Sequence, residues 1–310
     1  MGTAEASQTR LAYVAEAIIG TTPATPSFKT ARYVSEGIKF TKQTVISDEI
    51  RADGNVTDII DVGRAVEGPV AFELSYGTFD DFLESVFRSA WDDDVLVNGI
   101  THKSFSFEKT FELGGTDAFI RYRGVEMNTM DLSLESRQLV KGSFGTMGLG
   151  SPTPTTAIIA GATYAAPTTG PVLNAATNIG TLTVGGITVP PKIKTLNLQF
   201  RSNLYQNDAI GSYDIDSVGF GRFEVSGNMV CYFKDLDTYN AILAHDDVSL
   251  LITIGATTLN KYTLSLPKIK LMDGSPVVGG NGQAVMLDVP FQAKFDSGIG
   301  GTAKITRAVA

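Results

Sequence analysis

The sequence predicts a mainly β protein built from two similar units, each with one short flanking α-helix, that arose by internal duplication. Three observations carry this expectation. Runs of alternating apolar and polar residues, bounded by glycine, proline, asparagine and aspartate, fill most of the 310-residue chain. Only two stretches change to helical spacing. Each of those follows a strand of similar pattern, in "VEGPVAFELSYGTFDDFLESVF" (66–87) and "VSGNMVCYFKDLDTYNAILA" (225–244).

The elements follow in order. Residues 1–27 end in "GTTPATPS" and read as an N-terminal arm. Residues 28–150 form the first unit. Its polar loop, 48–65, precedes a strand in which Val66, Val70, Phe72 and Leu74 share one face and Glu67 and Glu73 the other. Thr78 is placed to cap the next helix, and Asp80 and Asp81 suit the positive end of its dipole. Phe79, Phe82, Leu83 and Val86 then form one apolar stripe.

A hairpin with its turn at "GGTD" and a further strand complete this unit. Residues 151–190 hold five prolines and no charge and read as a connector with a short hairpin near Leu182 to Thr188. The second unit, 191–310, repeats strand, polar loop, strand, short helix and strands. There Tyr239 and Leu243 are the helix-packing residues. Gly68 aligns with Gly227 and Phe82 with Tyr239, so the turn is two residues shorter in the second copy.

Composition excludes several functions. With 25 Lys and Arg against 33 Asp and Glu, the net charge is −8 and no basic run appears, which argues against a grip on DNA or an anionic membrane. Cys231 is alone in an apolar run, so no disulfide framework or cysteine metal cluster is expected. The N-terminus lacks the pattern of a signal peptide, and "LAYVAEAIIG" is too short and too interrupted by Glu16 to span a bilayer.

Catalytic and cofactor signals are weak. His102 and His245 are tied to no nucleophile by spacing and read as exposed turn residues. In "DIDSVGFGRFE" (214–224), Asp214 and Asp216 fit a calcium loop, but Val218 removes a ligand and Glu224 comes one residue early. Glu224 also replaces the third glycine of a dinucleotide fingerprint. No enzyme, cofactor or metal is expected.

The stretches "EAIIGTTPATPSFKTARYVSEGI", "VTDIIDVGRAVEGPVAFELSYGTFDDFLESVF", "KSFSFEKTF", "FIRYRGVEMNTMDLSL", "VGFGRFEVSGNMVCYF" and "VMLDVPFQA" together resemble the major tail tube proteins of long, non-contractile bacteriophage tails. The resemblance implies two tail-tube-type β-sandwich/barrel domains, each with one flanking helix, whose inner strands close into a barrel between subunits, in rings that stack into a hollow tube. With two such domains per chain, three chains would make a ring of six. The implied partners are further copies, the tape measure, tail tip and tail terminator proteins, and DNA in non-adhesive passage, with no membrane. The implied place is the virion tail, after synthesis in the host cytoplasm.

On this resemblance, ring-to-ring contacts fall on the arm and on two loops. These are 48–61, with Asp48, Glu49, Arg51, Asp53, Asp58 and Asp61, and the matching 206–219, with Asp208, Asp214 and Asp216. The other reading is a mobile solvated loop. Glu67, Glu73 and Ser226 are lumen candidates, with external solvent as the alternative. A different class of function is a two-domain adhesin or carbohydrate binder, for which Trp91, Tyr205 and Tyr213 would be exposed platforms.

Overall fold

A computed structural model describes residues 3–255 and 259–308. The N-terminal half contains β1 (Arg10–Ala15), β2 (Ser27–Thr30), β3 (Ser35–Glu36), β4 (Lys39–Ile46) and β5 (Ile59–Glu73). After helix α1 (Asp80–Phe87) come β6 (Val95–Val97), β7 (Phe105–Glu112), β8 (Asp117–Glu135) and β9 (Lys141–Gly148). Two strands, β10 (Thr163–Ala165) and β11 (Ile179–Gly185), lie in the middle of the chain. The C-terminal half has β12 (Ile193–Arg201), β13 (Leu204–Asn207), β14 (Ser217–Phe220) and β15 (Glu224–Tyr232). Helix α2 (Asp237–Ala244), β16 (Asp247–Ile254), β17 (Lys261–Leu271), β18 (Pro276–Val277), β19 (Met286–Ala293) and β20 (Lys304–Ala308) complete it. The mainly β class is as the sequence predicts.

Alternation explains the main sheet. In β5, Val66, Val70 and Phe72 are buried while Glu67 and Pro69 are exposed, so one face meets the core and the other does not. Antiparallel ladders run β4–β5–β9–β8 in the N-terminal half and β12–β15–β19–β17 in the C-terminal half. The β8–β12 ladder, Thr195 opposite Glu135 to Arg201 opposite Thr129, joins the two sets into one eight-strand surface. Beyond it the halves match again: β8 pairs with β7 and β7 with β1, as β17 pairs with β16 and β16 with β11.

A glycine–phenylalanine contact recurs in this pattern with its members exchanged. A Cβ at Gly142 on β9 would sit 2.4 Å from the Phe72 ring on β5, and a Cβ at Gly227 on β15 would sit 2.4 Å from the Phe291 ring on β19. The tip of each ring takes the space that a side chain at the glycine would need.

Helix α1 follows its predicted stripe. Phe79, Phe82, Leu83 and Val86 are all buried, and Phe82 packs against Tyr13, Phe105, Phe107 and Phe144 with ring centroids 4.6 to 5.8 Å apart. The cap differs from expectation. Phe79 holds the N-cap position, and the Thr78 hydroxyl instead bonds those of Ser75 and Thr168. The bond to Thr168 ties the turn to 151–190.

Helix α2 corrects a second expectation. Leu243 is 68% exposed, Tyr239 is half-buried, and Thr238, Ala241 and Ile242 face inward. Apolar residues at 236, 239, 241, 242 and 243 admit two stripes, and contact with β17 selects the one without Leu243.

Two stretches read as peripheral take part in the sheets. Within 1–27, β1 pairs with β7 along its whole length and buries Leu11, Ala12 and Tyr13. Within 151–190, β10 pairs parallel with β2, and β11 pairs with β16, so the expected hairpin near Leu182 is one strand of a larger sheet. The halves also share more than β8–β12. β20 pairs with β6, Arg307 meets Asp80 at 2.7 Å, and the Tyr262 hydroxyl donates to Asp80. Buried apolar side chains from both halves form one continuous cluster.

Candidate assembly surface

The eight-strand surface turns a polar face away from the core. Along β12, Leu196, Leu198 and Phe200 are buried, while Asn197 and Arg201 are exposed. The Ser133 hydroxyl on β8 donates to Asn197 on β12 at 2.8 Å, so the polar face continues across the joint between halves. Uncharged hydrogen-bonding groups dominate its centre: Gln199 faces Ser226, Ser226 faces Gln292 and Asn197 faces Asn228.

The predicted lumen residues stand on this face. Glu67 is exposed and opposite Lys39 and Met147, Glu73 is half-buried and opposite Lys141, and Ser226 lies in the middle of β15. Asp131, opposite Gln199, has its carboxyl pushed up by burial, against the pull of Arg201 and the Gln199 hydrogen bond.

Two hairpins project from the sheet. In the N-terminal one, Asp48, Glu49, Arg51, Asp53 and Asp58 are exposed. Arg51 donates to both Asp53 oxygens at 2.9 Å, and with Asn55 it holds that carboxyl well below the usual range. Asp61, at the root, is 3.6 Å from Arg64 and 3.9 Å from Lys42. The same hairpin exposes Val45, Ile46, Ile50, Val56, Ile59, Ile60 and Val62.

The C-terminal hairpin, β13–β14, folds back on the N-terminal half. Asp214 takes a 2.9 Å hydrogen bond from Arg123, Tyr213 O accepts from Arg64 N at 2.8 Å, and Ile215 and Val218 are buried with Ala65 and Leu149. Asp208 and Asp216 stay exposed. Sequence spacing could not reveal this seat, because Arg123 and Asp214 are 91 residues apart.

Other singled-out residues find ordinary partners. His102, expected in an exposed turn, lies 2.9 Å from the buried Glu126 carboxylate and 4.7 Å from the Phe220 ring; burial raises the Glu126 carboxyl, against the lowering effect of His102. His245 is exposed. Trp91 is no open platform: its indole donates to Asp80 O at 3.3 Å and Arg307 covers its ring. Tyr205 and Tyr213 are exposed. Cys231 is buried, and desolvation pushes its thiol up to about 11. No helix among the described residues is long and apolar enough to cross a membrane.

Comparison with known proteins adds one match. The family model described as phage tail tube protein matches residues 6–293. No curated protein matches the chain.

Proposed function

This chain belongs to the phage tail tube protein family, a structural component of the virion tail, and from that premise we propose that three copies close a ring of six similar units. Stacked rings make the hollow tube through which DNA leaves the capsid. The β8–β12 ladder carries the proposal. It is a joint between two sets of four strands with matching ladder order, made inside one chain. The outer side of β4 and the edge beyond Leu271 are the corresponding ends of the eight-strand surface, and pairing them between copies repeats the joint until the ring closes. The matching ladders and the Gly142–Phe72 and Gly227–Phe291 contacts support descent of both units, 28–150 and 191–310, from one domain.

In the closed ring the polar face lines the lumen. Glu67, Glu73 and Ser226 then face DNA, and because Lys39, Lys141 and Arg201 stand opposite Glu67, Glu73 and Glu224 with neutral amides and hydroxyls between, phosphate meets no uncompensated cationic patch there. The tip of the N-terminal hairpin, with Asp48, Glu49, Arg51, Asp53 and Asp58, meets the next ring, as do Asp208 and Asp216 at the exposed tip of β13–β14 and the residues preceding β1. The tape measure, tail tip and tail terminator proteins are the partners at the tube's core and ends.

Electron microscopy of the purified protein tests this reading by symmetry. Rings with three chains and a six-fold pseudo-symmetric wall are expected. Rings of six chains, or a protein that stays monomeric at high concentration, would overturn it.

A further inference from the structure

The seat of β13–β14 has a counterpart that the chain itself leaves empty. Ladder registers supply the correspondence: Gln199 faces Ser226 as Lys39 faces Glu67. Both hairpins then slip by one residue at the matching place, between Gln43 and Thr44 in one and across Ser202 and Asn203 in the other. Beyond the slip, Leu204 faces Phe220 as Thr44 faces Asp61. Val56 and Ile59 therefore occupy the places of Ile215 and Val218. The latter are 6% and 7% exposed in their seat, whereas Val56 and Ile59 are 61% and 60% exposed.

The same correspondence locates a seat on the C-terminal half. Met147 faces Glu67 as Gln292 faces Ser226, so Lys294 stands where Leu149 stands, followed by Phe295, itself 62% exposed. Helices α1 and α2 each end on a left-handed residue, Arg88 at φ 54° and His245 at φ 54°, so His245 takes the place of Arg88. Lys268 falls in the bulge of β17 that matches the β8 bulge holding Arg123.

We propose that the N-terminal hairpin docks sideways through Val56 and Ile59 on the C-terminal half of a second copy of this chain, at His245, Lys268, Lys294 and Phe295, as Ile215 and Val218 seat β13–β14 within the chain, which leaves its tip for the next ring. The lysines of the seat are already paired, Lys268 with Asp296 at 2.9 Å and Lys294 with Asp247 at 2.7 Å, so the occupant is argued from the correspondence itself: the places of Ile215 and Val218 are held by Val56 and Ile59, and the β8–β12 joint that this contact flanks within the chain recurs only between copies. Burial of Val56 and Ile59 supplies the apolar part. Asp61, in the place of Phe220, is brought to His245. The proposal rests on the ring reading above and adds which surface each chain offers its neighbour around the ring.

The test uses the full chain with Ile59→Cys and Lys294→Cys together, each single variant as control, and a short bismaleimide. Rings seen by microscopy, with covalent dimers and trimers on a denaturing gel from the double variant alone, are the expected result. Normal rings that yield only monomers on that gel would sink the docking while leaving the ring reading standing. A parent protein that forms no rings would remove both. Val56→Asp with Ile59→Asp gives a second measure. Both side chains are exposed in the single chain, so the thermal midpoint is expected to stay put while rings are lost; rings at parental yield would overturn the docking.

Discussion

Arg123 on β8 and Asp214 on the β13–β14 hairpin meet at 2.9 Å, an ion pair that crosses from one half of the chain to the other. Both side chains are partly exposed, so the pair holds a position more than it adds stability. Asp214→Ala is expected to cost under about 1 kcal/mol in global unfolding. Amide exchange across 204–220 should nevertheless quicken markedly, because Ile215 and Val218 lose the tether that keeps them seated. Unchanged exchange there would mean that apolar burial alone fixes the hairpin.

The two helices predict contrasting mutant costs. Phe82→Ala removes a side chain packed among five other rings and should destabilise by about 3–5 kcal/mol in denaturant unfolding. Leu243→Ala, on the outer face of α2, should stay within about 0.5 kcal/mol. Similar losses in both would show that Leu243 packs after all.

Asp247 sets a pH dependence. Lys294 at 2.7 Å and Lys270 at 2.9 Å lower its carboxyl to about 2. A carboxyl lowered on folding adds stability above its unfolded value, near about 3.9, and loses it as pH falls toward about 2. Thermal midpoints of the parent and Asp247→Asn should therefore differ most above about pH 4 and converge toward pH 2. A difference that stays constant over that range would show that the variant acts through something other than titration.

Charge reversal on the polar face tests the lumen assignment. Glu67→Lys with Ser226→Lys should leave rings intact but make tubes retain DNA in a gel-shift assay at low salt, with retention falling as salt rises. Parent and variant tubes that bind DNA equally would place these residues on the outside.

Sequence pattern revealed features set by local spacing. The α1 stripe was legible because Phe79, Phe82, Leu83 and Val86 leave one inward face, whereas the apolar residues of α2 admit two stripes and only β17 decides between them. The second half lacks aromatics matching Phe72 in its own strand, and the reason is spatial: Phe291 fills that role from the neighbouring strand, over Gly227. Pairings between distant residues left no local trace. His102 with Glu126, Arg123 with Asp214 and β1 with β7 each join segments whose own periodicity is silent about the partner. Proline and threonine in 151–190 suggested a loose link, yet two short strands there pair with β2 and β16.

The β8–β12 ladder forms when the chain folds, before any neighbour arrives. Its strands belong to one molecule and meet at an effective concentration on the order of millimolar or more, so dilution cannot open this joint. Every second contact around the proposed ring is therefore independent of protein concentration. Disassembly on dilution would break only the contacts between molecules and release intact pairs of units. Growth would cost the loss of free tumbling for two joining chains instead of five. The nucleus from which a tube begins would accordingly be reached at lower protein concentration than one assembled from separate single units.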